Sequence, residues 1–187
     1  NFVPGNVDRV ILSTTQSNSQ KRDSQTHKLI LNTGELIYFD KLLIATGGTP
    51  RKLGVPGEML NGIHTMYTLQ DVLDANSKLI KAKNVVLVGG GTVTLKVVRA
   101  LFRAGFDKRI SIVEKSDQML CSVLDPAGAS IIESYMETLG VNVYKNATVN
   151  RFMGQNNRLG VVKLSNGLTL DADVAIVAVG IDLNVSI

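Results

Sequence analysis

Apolar positions along the chain fall into two patterns: short continuous runs that stop at glycine, and longer stretches with apolar residues three or four apart. The first pattern predicts buried strands and the second amphipathic helices. Val7, Val10, Ile11 and Leu12 make a first short extended run. Residues 13–28 mix Ser, Gln, Asn and both charge signs, which predicts a loop. Residues 28–31 and 36–39 flank Asn32-Thr33-Gly34-Glu35, and a glycine-bearing turn between two β-prone runs is a hairpin signal. Residues 40–48 have a continuous apolar centre, predicting a strand buried on both faces that ends at Gly47-Gly48.

Pro50, Gly54, Pro56-Gly57 and Gly62 give residues 49–62 a linker composition and place a domain boundary nearby. Thr68 offers a hydroxyl cap with Asp71 three residues on, and Leu69, Val72, Leu73, Leu79 and Ile80 recur at helical spacing. Residues 84–88 form an apolar strand that runs straight into Gly89-Gly90-Gly91. A helix follows, with the stripe Val93, Val97, Val98, Leu101 and Phe102 and a stop at Gly105. A second strand is expected at 109–114. Asp125 as cap and Pro126 as first residue then open a helix that carries Ile131, Ile132, Tyr135, Met136 and Leu139 inward and ends at Gly140. A third strand at 141–144 precedes an antiparallel meander over 148–170, turning at 154–157 and at Asn166-Gly167, and a last buried strand runs over 173–180. Alternating strands and helices with right-handed crossovers predict an α/β fold, a Rossmann-like doubly wound parallel sheet with a β-meander.

Composition narrows the function classes. The 187 residues are 44% hydrophobic, enough for one ordinary core and part of a second. A charged fraction of 19% and 17 glycines suit an enzyme with many strand-to-helix turns. The net charge of +4 fits a mildly basic surface, and without aromatic or helix-turn-helix support it is no nucleic-acid footprint. Cys121 is alone, which excludes a disulfide framework and a multi-cysteine zinc site and leaves an ordinary thiol. His27 and His64 read as loop histidines. The sequence shows no secretory signal and no apolar run near the roughly 20 residues of a membrane helix, so no membrane association is expected. The expected compartment is reducing and cytoplasmic, or mitochondrial if a targeting segment lies outside this sequence.

The chemistry of holding a pyrophosphate accounts for the glycine block. Gly89 permits the tight turn after the strand, Gly90 continues it, and Gly91 lets the backbone approach the phosphates. The helix opening at Thr92 and Val93 aims free N–H groups and its positive dipole end at the anion. Glu114, 20 residues after Thr94 at the end of the next strand, stands where a carboxylate accepts hydrogen bonds from the adenosine ribose. A carboxylate there repels a 2′-phosphate and favours NADH over NADPH, while Lys115 keeps the choice open. Position 94 is Thr where the fingerprint has its third glycine, so its Cβ is expected to push the helix from the strand or to weaken binding.

Four segments carry a family resemblance: residues 39–51 with Ala45-Thr46-Gly47-Gly48, residues 85–91, Leu124-Asp125-Pro126, and residues 173–184. Together they resemble the FAD-dependent pyridine-nucleotide oxidoreductases. The branch indicated holds ferredoxin and rubredoxin reductases, NADH oxidases, the nitrite-reductase flavoprotein part and apoptosis-inducing factor. The resemblance implies a discontinuous FAD domain with the NAD domain inserted: residues 1–52 belong to the FAD domain, 53–178 to the NAD(P) domain, and 179–187 begin the return. It implies that Thr46, Gly47 and Gly180 lie against cofactor, that flanking FAD segments fall outside the sequence, and that the 1–50 piece packs poorly or swaps between copies. It further implies hydride passage from NADH to flavin and on to a protein or small-molecule acceptor, in a protein that could form a homodimer. Lys96 replaces a glutamate usual in the family near the nicotinamide, and is long enough to reach the pyrophosphate. Leu183 replaces a proline usual before Asn184. Thr94 and Lys96 support an alternative, a degenerate or signalling nucleotide-binding relative without turnover, in the manner of apoptosis-inducing factor.

Overall fold

A computed structural model of the chain describes residues 2–12, 27–105 and 109–186. The loop expected at 13–28 lies outside the described residues except for its last two, which belong to a strand. The chain divides into two compact units, Asn1–Gly48 with Leu183–Ile187, and Thr49–Asp182. The crossings fall at 48/49 and 182/183, a few residues outside the 52/53 and 178/179 expected.

In the smaller unit, β1 (Val7–Ile11), β2 (His27–Leu31) and β3 (Leu36–Phe39) form an antiparallel sheet in the order β1-β2-β3. The hairpin expected between β2 and β3 is present, with Gly34 at φ 84° in its turn. The buried strand expected over 40–48 is not formed. Residues 42–47 are irregular, Leu43 is 88% exposed and Ile44 53%. Only the end of this run, Thr46 O and Gly47 O, accepts hydrogen bonds among the described residues, both from Asn184. A run suited to burial on two faces stays irregular where no strand pairs with it. His27 also departs from expectation: it lies on β2 with its ring 5.5 Å from that of Phe39.

The larger unit begins within β4 (Gly48–Pro50). It contains β5 (Ile63–His64), α1 (Leu69–Leu79), β6 (Asn84–Val88), α2 (Thr92–Arg103), β7 (Arg109–Val113), α3 (Pro126–Thr138) and β8 (Asn142–Tyr144). The meander β9 (Val149–Gln155), β10 (Arg158–Leu164) and β11 (Thr169–Asp171) follows, then β12 (Val174–Val177) and β13 (Ile181–Leu183), which pairs with β4. β5-β12-β6-β7-β8 is a five-stranded parallel sheet. Alternate residues of its strands serve two cores. Val85, Leu87, Ile110, Ile112, Val174 and Ile176 pack with residues of α1, α2 and α3, whereas Val86, Val88, Val113, Ala175 and Val177 pack with the meander. The helices cover one face and the meander the other. The two Asn residues of the β9–β10 turn, Asn156 and Asn157, take φ 51° and 58°, as a two-residue hairpin demands.

Residues 49–62 are not a free linker. Leu53, Val55 and Leu60 pack on the meander core, and the Glu58 carboxylate accepts from Leu53 N at 2.6 Å and Gly54 N at 2.9 Å. Helix starts stand as expected and helix faces only in part: Leu79, Val97, Val98, Leu101 and Met136 are buried, and Ile132 and Leu139 pack against the core. Thr68 and Asp71 form a reciprocal capping box on α1, yet α1 buries only Ala75 and Leu79, leaving Leu69, Val72, Leu73 and Ile80 exposed. It packs over β12 and β5, the latter a two-residue strand at the edge of the sheet. α2 buries Thr94, Val97, Val98 and Leu101 while Val93 and Phe102 face outward. α3 buries Ala129, Glu133 and Met136, and Ile131 and Tyr135 are exposed. In α2 and α3 a small or polar residue holds the place on the buried line that the apolar pattern assigned elsewhere.

Candidate functional site

The chain runs β6–α2–β7–α3–β8 in one direction across the sheet, and β12 then adds on the other side of β6. Strand order therefore reverses beside β6, and ligands of open parallel sheets bind outside the carboxyl ends of strands at such a point. A cleft of about 710 Å³ lies there, walled by residues following β6, β7 and β12.

Gly89 takes φ 101°, and a Cβ on it would stand 2.5 Å from Ala178 O. Its N–H donates to Val113 O at 2.8 Å, which ties the turn to β7, while Ala178 N donates to Val88 O at 2.8 Å just before it. A Cβ on Gly90 would press on the Glu114 side chain at 3.0–3.2 Å. Gly91 is the N-cap of α2, and nothing lies within 4 Å of where its Cβ would be. The Thr68 hydroxyl caps α1, and the Asp125 carboxylate caps α3 by accepting from Gly128 N at 2.8 Å. α2 has no side-chain cap and no acid in its first turn. Its opening amides and positive end are thus left for an anion from outside the chain.

Glu114 is buried, and its carboxylate accepts from Gly90 N at 2.5 Å and Ser116 N at 2.7 Å. Each carboxylate oxygen keeps a further lone pair for a ribose hydroxyl. The Thr94 side chain, where the fingerprint has its third glycine, is buried and its hydroxyl donates to Gly89 O. Lys96 is exposed on α2 and is not among the residues that line the cleft.

Of the expected site residues, Gly89, Gly90, Gly91, Thr92, Val93, Glu114, Lys115 and Gly180 line this one cleft. Thr46 and Gly47 belong to the smaller unit, where Asn184 Nδ2 donates to Thr46 O at 3.1 Å and Asn184 N to Gly47 O at 3.1 Å. Sequence reasoning missed Arg51, Lys52, Cys121, Ser122 and Val123, which also line the cleft. Arg51 pairs with Asp182 at 3.0 Å, and its motif position beside Pro50 was the available signal; the 121–123 segment carries none. His64 is a strand residue rather than a loop histidine. It lines a second cavity of about 450 Å³, its Nε2 is buried without a partner, and burial pushes its pKa down against the opposing pull of Asp74. Among the described residues no three His, Cys, Asp or Glu side chains group to hold a metal, and no helix is long and apolar enough to cross a membrane.

A cleft of this construction, at the switch point of a parallel sheet, puts the larger unit in the class of Rossmann-type α/β domains. Comparison with known proteins carries the assignment from class to family. The model described as "Pyridine nucleotide-disulphide oxidoreductase" matches residues 6–187, and the chain belongs to that family. FAD and NAD(H) are the cofactors of the family. The rubredoxin-NAD(+) reductase of Pseudomonas putida is 30% identical over 147 residues, 79% of this chain and 38% of that protein. The crystal structure of the ferredoxin reductase for the CYP199A2 system of Rhodopseudomonas palustris matches with a TM-score of 0.75 at 26% identity, covering 82% of this chain and 38% of that one. The reductase in the covalent putidaredoxin reductase–putidaredoxin complex matches with a TM-score of 0.73 at 26% identity, covering 88% and 40%. The chain thus spans about two fifths of the length of these relatives.

Proposed function

We propose that the chain is the NAD(H)-binding portion of an FAD-dependent oxidoreductase that takes electrons from NADH to an acceptor. The observation that supports this reading best is the uncapped N-terminus of α2, opening on the same cleft as Gly91 and Glu114. The amides of Thr92 and Val93 hold the pyrophosphate, and the bare Cα of Gly91 lets it approach. Glu114 takes the adenosine ribose hydroxyls and disfavours a 2′-phosphate, with Lys115 at the rim as a partial counterweight. Lys52 adds positive charge to the cleft wall, where Arg51 is paired with Asp182. When bound, NADH supplies hydride and FAD accepts it; the chain's part is to orient the dinucleotide. Thr46, Gly47 and Gly180 are assigned to the cofactor contacts that the family pattern gives them. The names of the relatives favour a ferredoxin- or rubredoxin-like protein as acceptor.

Thr94 gives the alternative of a module without turnover less support than its sequence does, because its hydroxyl is satisfied in place. Calorimetric titration of the chain with NADH and NADPH tests the proposal. NADH is expected to bind with Kd on the order of micromolar and more tightly than NADPH, with roughly tenfold weakening in Glu114→Ala. Binding of neither nucleotide would overturn the reading in favour of the degenerate module.

A further inference from the structure

Residues 115–124, between β7 and α3, bring Lys115, Cys121, Ser122 and Val123 to the cleft. This loop is anchored at three points. Asn146 N donates to Ser116 O at 3.0 Å, Leu120 N to Gly90 O at 2.9 Å, and Met119 N to Glu133 Oε1 at 2.7 Å. Leu120, itself one of these anchors and next to Met119, has φ 56°, a left-handed conformation that a leucine adopts only when its surroundings impose it. The side chains of Met119 and Leu120 are buried in the helix-side core.

Glu133 is the unexpected member of this arrangement. It occupies the buried line of α3 between Ala129 and Met136, and its second oxygen lies 2.6 Å from Lys145 Nζ. Burial pushes its carboxyl upward, but the Lys145 and Met119 hydrogen bonds outweigh burial and hold it below the usual range. Packing alone does not call for such a group, since an apolar side chain of similar volume serves a helix face as well or better. Its direct hydrogen bond to the 115–124 loop is the one it accepts from the Met119 amide, while Lys145 ties it to the strand-end segment that precedes Asn146.

We infer that Glu133 is a positioning residue for the dinucleotide: by holding Met119 N it sets the left-handed turn at Leu120, which docks on Gly90 and presents the 121–123 rim. The inference rests on the dinucleotide reading of the cleft, and its test separates the two. Amide exchange of the nucleotide-free chain reports the anchoring, and titration with NADH and with ADP-ribose reports its consequence. In Glu133→Leu, which keeps volume and removes the acceptor, exchange at Met119 and Leu120 should rise at least about tenfold while residues 84–88 and 109–113 stay protected. Both ligands should weaken about tenfold. Glu133→Gln, which keeps an acceptor and drops the ion pair, should stay within about threefold of the parent chain. Parent-like affinity in a folded Glu133→Leu chain would overturn the inference, as would affinity lost only in step with protection of the core strands. If Glu133→Leu does not fold, a tenfold loss in Glu133→Gln would overturn it, because charge and not the Met119 bond would then be responsible. Failure of the parent chain to bind either ligand, with loop exchange still responding to Glu133→Leu, would sink the dinucleotide reading and leave the anchoring role standing.

Discussion

At the scale of single residues, the cleft is governed by where a Cβ is tolerated. Gly89 has both a left-handed backbone and a carbonyl, Ala178 O, in the way of a side chain. Gly89→Ala is therefore expected to destabilise the chain by about 1–3 kcal/mol, read from urea denaturation, and to weaken NADH binding. Gly91 has neither obstacle: its φ is −87° and the space around a Cβ is open. Gly91→Ala should leave stability within about 0.5 kcal/mol and still weaken NADH, because the added methyl occupies only space that a ligand would use. A parent-like affinity for Gly91→Ala would argue that phosphate does not approach there. The glycines and Glu114 were legible because turn geometry and an acid at a strand end are local signals. The Thr94 hydroxyl finds Gly89 O, a partner visible only once strand and helix are placed.

At the scale of elements, starts and stops were legible and buried faces only in part. The Thr68–Asp71 box, the Asp125 cap with Pro126, and Gly105 and Gly140 at positive φ each act within one helical turn, so the sequence carries them. The face a helix buries depends on the shape of what it meets. On α1, Leu79 is buried and Leu73 is 55% exposed. Leu79→Ala is expected to cost about 2–5 kcal/mol, and Leu73→Lys to stay within about 0.5 kcal/mol, in the same denaturation experiment. Equal effects would mean that α1 packs through the stripe of its apolar pattern after all.

At the scale of the molecule, acid sensitivity and the division into units carry the expectations. The Asp71 carboxyl is lowered chiefly by the Thr68 backbone hydrogen bond, against burial. Burial raises the Asp173 carboxyl, and the backbone amides of Asn84 and Lys83 overcome it, tying the start of β12 to that of β6. With Glu133 these groups bind protons more weakly folded than unfolded. Their stabilisation is complete above the usual carboxylate range and is lost as pH falls below about 4. Thermal unfolding followed from pH 7 to 3 should show that decline, with a smaller one in Asp173→Asn. In the smaller unit, Leu29 and Leu31 are the buried hydrophobic residues among those described, whereas the larger unit has two cores. Amides over residues 7–12 and 27–44 should therefore exchange faster than those over 85–105 and 109–113, and equal protection would contradict this. By itself the sequence determined the order of elements, the glycine turn, the caps and the acid at the end of β7, because each follows from backbone geometry or hydrogen bonding within a few residues. Only the tertiary structure decided that 42–47 stays irregular, that the meander covers the second face of the sheet, that Glu133 is buried and that 121–123 line the cleft. Burial belongs to a pair of surfaces, and one segment of sequence describes only one of them.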